Sequence, residues 1–195
     1  MERSTDPTCP KLLEHSISLR ARRFHVEHRT YEHPGPKMIV RDVVVHPGAV
    51  VILPILDPHH FVMIRNFRHA AGEELIELPA GTMEPGEPPI ETARRELEEE
   101  TGYCAGVIEP FIEFFTSPGV LTERMRAFVA GDLTWVGQRL EDSERITVEV
   151  VGIAEARRLL KEGRLLDGKS IAVLGTFFAR DIGDGGSAGV NSERR

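Results

Sequence analysis

From Glu96 to Glu100 the chain reads Glu-Leu-Glu-Glu-Glu, and Glu96, Glu99 and Glu100 stand at i, i+3 and i+4. On a helix advancing about 100° per residue, Glu99 falls about 60° to one side of Glu96 and Glu100 about 40° to the other. Three anions on so narrow an arc repel one another unless something positive sits among them. Hard divalent cations take oxygen ligands, and Mg2+ is typically held by a few carboxylates plus water and phosphate. The spacing therefore describes a divalent-cation site.

The elements that must hold this arc in place carry their own signals. Pro88 and Pro89 suit the first turn of a helix, where a missing amide proton costs nothing, and Gly102 suits the left-handed position just past its end. Ile90, Ala93 and Leu97 form an apolar stripe roughly 110° or more from the centre of the acidic arc, so one face packs while the other binds. A generic acidic run is more simply a solvated helix face. The flanking residues decide against that reading here.

Gly81, Glu87, Arg95, Glu96, Leu97, Glu99, Glu100, Gly102 and Tyr103 stand at fixed spacing across residues 81–103. This pattern resembles the signature of the Nudix hydrolases at every specified position, with Tyr103 as an aromatic where an aliphatic residue is commoner. The resemblance implies an α/β (α+β) Nudix fold, a mixed β-sheet sandwiched between helices, spanning residues 43–180. It also implies Mg2+ or Mn2+, two or more ions, held against a diphosphate that water cleaves. The physics agrees: paired ions clamp attacking and leaving oxygens, offset phosphate charge and acidify water. Glu96, Glu99 and Glu100 are the expected metal ligands. Arg95 is expected to orient a neighbouring carboxylate through a bidentate pair, and Glu98 to be a solvated charge. Glu87 is either a further ligand through water or a charge suited to the helix N-terminus.

Composition bounds the rest. The chain has 195 residues, 41% of them hydrophobic and 28% charged, which suits one domain with a small appendage. A formal charge of −7 argues against general nucleic-acid binding. The two cysteines, Cys9 and Cys104, show no metal spacing and suit a reducing compartment. No apolar stretch reaches the ~18 residues of a membrane span, and the start lacks a signal-peptide core. A cytoplasmic protein without membrane contact is the expectation.

Along the chain, the first ten residues and a tail over 181–195 read as polar and disordered. Alternation over 23–31 and 38–45 about the turn 33–37 predicts a β-hairpin within an N-terminal region 1–42. Strands are expected over 49–56, 61–64, 75–78, 107–116, 124–130 and 146–151, and further helices over 154–162 and 170–179. A lone hairpin is marginal in water and needs a partner surface. The region resembles the extra strands of ADP-ribose and ADP-sugar pyrophosphatases, and this likeness implies a homodimer.

Three further segments resemble the same subgroup and imply a small-molecule nucleoside diphosphate sugar as substrate. Residues 64–72 contain Arg65 and Arg68, matching a stretch that supplies an arginine to the substrate; a guanidinium fork fits phosphate. Residues 77–81 match the lead-in where Ala80 offers its carbonyl to metal and Glu77 touches substrate; a solvent-facing strand glutamate is the simpler alternative for Glu77. Pro118 lies sixteen residues after Gly102, as in that subgroup, and the loop after it offers Glu123 as general base. The commoner local form there is Asp-Glu, whereas this chain has Thr122 before Glu123. A water oriented by Glu99 or Glu100 is the alternative. The eight histidines show no compact ligand spacing, and Phe24 or Tyr31 could stack on an adenine.

Overall fold

The computed structural model describes residues 9–35, 37–140 and 144–183, the last three by backbone alone. The disorder expected of residues 1–8 and 184–195 concerns positions outside this set. Two units are formed, Met1–Gly48 with Phe114–Arg124, and Ala49–Glu113 with Met125–Arg195.

The first unit carries β1 (Lys11–Arg20), β2 (His25–His33) and β3 (Lys37–Val45), an antiparallel sheet in the order β1-β2-β3. The expected hairpin is β2–β3, and β1 adds a strand that the sequence does not announce. Its register slips between Leu12 and Glu14 and again between Ile17 and Leu19. Each slip flips the side-chain alternation by which strands are read. The unit runs to Gly48, and within it segment 114–124 binds the end of β3. The Val44 amide donates to Val120 O at 2.8 Å and the Thr122 amide to Val44 O at 2.9 Å. Thr122 Oγ1 also accepts the His46 amide at 3.0 Å. Buried Glu27 receives hydrogen bonds from Arg29 Nε at 2.7 Å and is paired with His25 Nε2 at 3.0 Å. Leu13, Leu19, Met38 and Val40 remain exposed on β1 and β3.

In the second unit β4 (Ala49–Asp57) and β5 (His60–Arg68) are the buried centre of a seven-stranded mixed sheet. Its path is β10-β5-β4-β9-β8, with β8 at Tyr103–Phe115, β9 at Arg124–Trp135 and β10 at Ile146–Gly152. The short strands β6 (Glu73–Glu77) and β7 (Ala80–Thr82) pair antiparallel with β5 and β4. β4 runs parallel to β9 and antiparallel to β5.

Successive strand side chains point to opposite faces, so β4 shows Val50 and Ile52 on one face and Val51, Leu53 and Ile55 on the other. The first face is covered by α1 (Pro89–Thr101), whose Ala93 and Leu97 cluster with Val50, Ile52, Phe128 and Ala130. Ile55 pairs with Phe61, which puts Phe61 on the second face. There it meets Phe177 and Phe178 of α3 (Gly168–Gly183) at ring separations of 5.5 and 6.2 Å. The α3 helix thus runs to Gly183, beyond the expected boundary at 180. The remaining helix, α2 (Ile153–Lys161), packs on α3 and β10. Helices on both faces bury Leu97, Phe61 and Leu174 fully, each contributing about 1.5–3 kcal/mol.

Candidate active site

The site is built where β7 delivers the chain into α1. β7 is clamped against β4 through the pairs Val51↔Ala80, Val50↔Gly81 and Ala49↔Thr82, and the Ile52 amide donates to Pro79 O at 2.9 Å. Pro88 precedes the helix with extended φ −63° and ψ 138°, and no side chain caps it. Glu87 folds over the first turn instead: its Oε2 accepts from Thr92 Oγ1 at 2.8 Å. At the other end Gly102 adopts φ 75°, a conformation glycine tolerates best. Segment 136–139 then satisfies carbonyls of the last turn, which a helix leaves without internal partners. The Arg139 amide reaches Glu99 O at 3.0 Å and Gln138 Nε2 reaches Glu100 O at 2.7 Å.

Arg95 organises the acidic arc. Its Nε and Nη2 hold the two Glu87 oxygens at 3.1 and 3.2 Å, while Nη1 donates to Glu96 at 2.8 Å and to Glu99 at 3.0 Å. The Arg95 pair draws the Glu87 carboxyl down to about 2. Glu96 lies over Gly81 so closely that a Cβ built there would overlap its carboxyl group. Glu100 is buried, and among the described residues its carboxyl makes one hydrogen bond, from the Ala80 amide to Oε2 at 2.8 Å. Burial pushes the Glu96 carboxyl up, and pushes that of Glu100 up to about 8. Glu98 pairs with Arg139 rather than standing solvated.

Among the described residues no three acidic, histidine or cysteine side chains form a ready cation cage. Glu96 and Glu99 are drawn to Arg95, Glu100 to the backbone. The donor set nonetheless fits a hard cation. Two carboxylates withdrawn from water lack a full counter-charge, and such groups are stabilised by a bound cation. Glu96, Glu99, Glu100 and the Ala80 carbonyl are the oxygens that would hold it.

Of the two candidate arginines only one shares the face of α1. Glu77 pairs with Ile64, so residues 64, 66 and 68 of β5 and Glu77 lie with Val50 and Ile52, while Arg65 points to the α3 face. Arg65 is bound there to Glu149 Oε1 at 2.7 Å; it is not brought to the site, because three residues along a strand reverse the face. Arg68 grips Glu77 side-on, Nε to Oε1 at 2.7 Å and Nη2 to Oε2 at 2.5 Å. Glu77 itself is 0% exposed. It is thus not the solvent-facing strand glutamate of the simpler alternative, and both its oxygens are taken up by cations. The second cation is Lys169, with Nζ 2.5 Å from Glu77 Oε2 and 2.9 Å from Asp167 Oδ1.

Sequence reasoning missed Lys169 and Glu144. Lys169 follows Asp167, whose Oδ2 accepts from the Ser170 amide at 2.9 Å, so the only signal was a helix start. Glu144 stands two residues ahead of β10, and after burial, the main cause, its negative charge adds a minor upward push to the Glu96 and Glu100 carboxyls. Glu123 belongs to the first unit, where Thr116 Oγ1 donates to it at 2.7 Å and His46 Nδ1 lies at 3.4 Å. Phe24 lines a cavity of about 370 Å³ wholly within that unit, among Arg20, Arg22, Arg23, His25 and His46. Tyr31 is half-buried in β2.

Known proteins agree with this architecture. Residues 45–174 match the family model described as NUDIX domain. The chain is 37% identical over 141 residues to an ADP-ribose pyrophosphatase of Bacillus subtilis (strain 168), covering 71% of this chain and 76% of that one. A Methanol dehydrogenase activator of Bacillus methanolicus is 37% identical over 142 residues, covering 72% and 77%. A GDP-mannose pyrophosphatase of Shigella flexneri is 34% identical over 137 residues, covering 65% and 71%. The solved structure of an ADP compounds hydrolase overlays with a TM-score of 0.80 at 25% identity, covering 93% of this chain and 99% of that one. With the motif, the sandwich fold and these likenesses in agreement, the chain belongs to the NUDIX family and is a Nudix hydrolase.

Proposed function

We propose that this protein hydrolyses the diphosphate bond of ADP-ribose or a closely related ADP-sugar in the presence of Mg2+ or Mn2+. Water adds to one phosphorus, one P–O bond of the anhydride breaks, and AMP and a sugar phosphate leave. The observation that carries this reading is half-buried Glu96 and buried Glu100, held against the Ala80–Gly81 backbone on a helix of the NUDIX pattern. Divalent ions bound there would offset phosphate charge and make water a better nucleophile. Glu96, Glu99, Glu100 and the Ala80 carbonyl would hold the ions, Arg95 with Glu87 would orient the ligands, and Arg68 would hold a substrate oxygen.

The proton released by water needs a base. Glu123 is the candidate by resemblance. Glu144 is the second, favoured by its electrostatic reach to both Glu96 and Glu100. Loss of most of kcat in Glu144→Gln with Glu123→Gln nearly unaffected assigns the role to Glu144, and the reverse assigns it to Glu123.

The substrate reading draws on relatives named for ADP-ribose and ADP compounds. The relative named for GDP-mannose supports a GDP-sugar as second reading, because the acidic helix serves the diphosphate and not the base. A homodimer is part of the proposal: the exposed Leu13, Leu19, Met38 and Val40 of the N-terminal sheet suit burial against a second copy. Among the described residues no helix is long and apolar enough to cross a membrane, and a cytoplasmic location is proposed. Incubation with a panel of nucleoside diphosphate compounds and Mg2+, read by chromatography, tests the substrate. Preference for ADP-ribose supports the reading, and preference for a nucleoside triphosphate overturns it.

A further inference from the structure

Glu77 is a carboxylate with no exposed surface, and an ion in such a place is tolerated only when it is paired. Arg68 alone would meet that need through its side-on pair. The protein nevertheless brings a second cation across 92 residues of sequence, Lys169, at 2.5 Å from the same Oε2 that Arg68 holds. The lysine is anchored from behind. Its Nζ touches Asp167, Asp167 accepts from Ser170 Oγ at 2.6 Å, and Ser170 Oγ accepts the Leu78 amide at 2.7 Å. The first turn of α3 is thereby latched to the segment that leads into β7.

The outer edge of Arg68 is free for other work. Its side chain is 39% exposed, and its Nη1 makes no hydrogen bond among the described residues. With Lys169 and Asp167 included, the four charges sum to zero, so Glu77 does not consume the whole charge of Arg68. Without Lys169 the group of Arg68, Glu77 and Asp167 would carry a net negative charge. A phosphate approaching Arg68 would then be repelled.

We infer that Lys169 is a positioning residue for substrate: by sharing Glu77 it fixes the aim of Arg68 and leaves that guanidinium positive toward an anionic group of the nucleotide. The inference rests on the reading of Arg68 as a substrate-binding residue. It assigns Lys169 no contact with substrate, since its side chain is 10% exposed and taken up by two carboxylates.

The test is steady-state kinetics on ADP-ribose with saturating Mg2+ for wild type, Arg68→Ala, Lys169→Met, Lys169→Arg and the Arg68→Ala/Lys169→Met double variant. Lys169→Met is expected to raise KM about tenfold with kcat changed less than about twofold, and Lys169→Arg to return KM toward wild type. The double variant is expected to match Arg68→Ala alone, because Lys169 acts through Arg68. Should Lys169→Met fail to fold, Lys169→Gln keeps a donor toward Glu77 without the charge and carries the same expectation. An unchanged KM in the folded lysine variant, or a double variant that adds both losses, overturns the inference. An unchanged KM in Arg68→Ala overturns instead the reading beneath it.

Discussion

Replacing Gly81 by alanine isolates the acidic site from the fold that carries it. The backbone at Gly81 is paired with Val50 in an ordinary strand, so alanine brings no dihedral strain. The new Cβ would occupy the space of the Glu96 carboxyl group, and the yielding partner is the end of a side chain. Glu96 is only 12% exposed and is tied to Arg95, so it swings away at the expense of its place beside Glu100. A displacement of about 1 Å in a catalytic group costs on the order of 100-fold in rate, or about 2.7 kcal/mol of transition-state stabilisation. The fold should lose less, about 1 kcal/mol, because no core contact is broken. The assay is kcat/KM for ADP-ribose together with the Mg2+ dissociation constant by calorimetry and thermal melting in EDTA. The expected outcome is a loss in both activity and metal affinity with a melting temperature lowered by a few degrees. Wild-type turnover and metal affinity in a folded Gly81→Ala protein would refute the placement of Glu96 as a ligand.

Glu100→Gln should lower kcat by orders of magnitude, while the amide oxygen still accepts the Ala80 amide; melting in EDTA at pH 8 should show it at least as stable as wild type. The sign follows from burial: a carboxyl pushed up to about 8 binds its proton more tightly folded than unfolded, so the charged form opposes folding as pH rises. Glu87 works the other way. Its folded value of about 2 lies below the ordinary 4.5, so wild type should exceed Glu87→Gln in stability by about 1 kcal/mol above pH 4.5, the pair being partly screened. That margin should vanish as pH falls toward 2, read from urea midpoints across pH. Leu97→Ala, which empties a fully buried position on α1, should cost about 2–5 kcal/mol by urea unfolding.

The helix α1 was legible from end to end, because proline, acidic arc, apolar stripe and glycine all act within a few residues of one another. The buried strands β4 and β5 were legible for the same local reason, as unbroken apolar runs. What escaped depends on distant partners. β1 hides behind two register slips. Glu77 resembles any strand glutamate until Arg68 and Lys169 are seen to enclose it. The opposite orientations of Arg65 and Arg68 follow from counting along a strand, yet which face mattered emerged only when α1 was seen to pack on the Val50 face. Glu144 sits in an unremarkable polar stretch, and its bearing on Glu96 and Glu100 arises from the return of the chain past the end of α1.

The most direct test of the central claim is a crystal structure grown with Mg2+ and a non-hydrolysable ADP-ribose analogue. Ions coordinated by Glu96, Glu99, Glu100 and the carbonyl oxygen of Ala80 are expected, with the diphosphate of the analogue against them. Ions and diphosphate bound elsewhere, with these carboxylates still paired to Arg95 and the Ala80 amide, would contradict it.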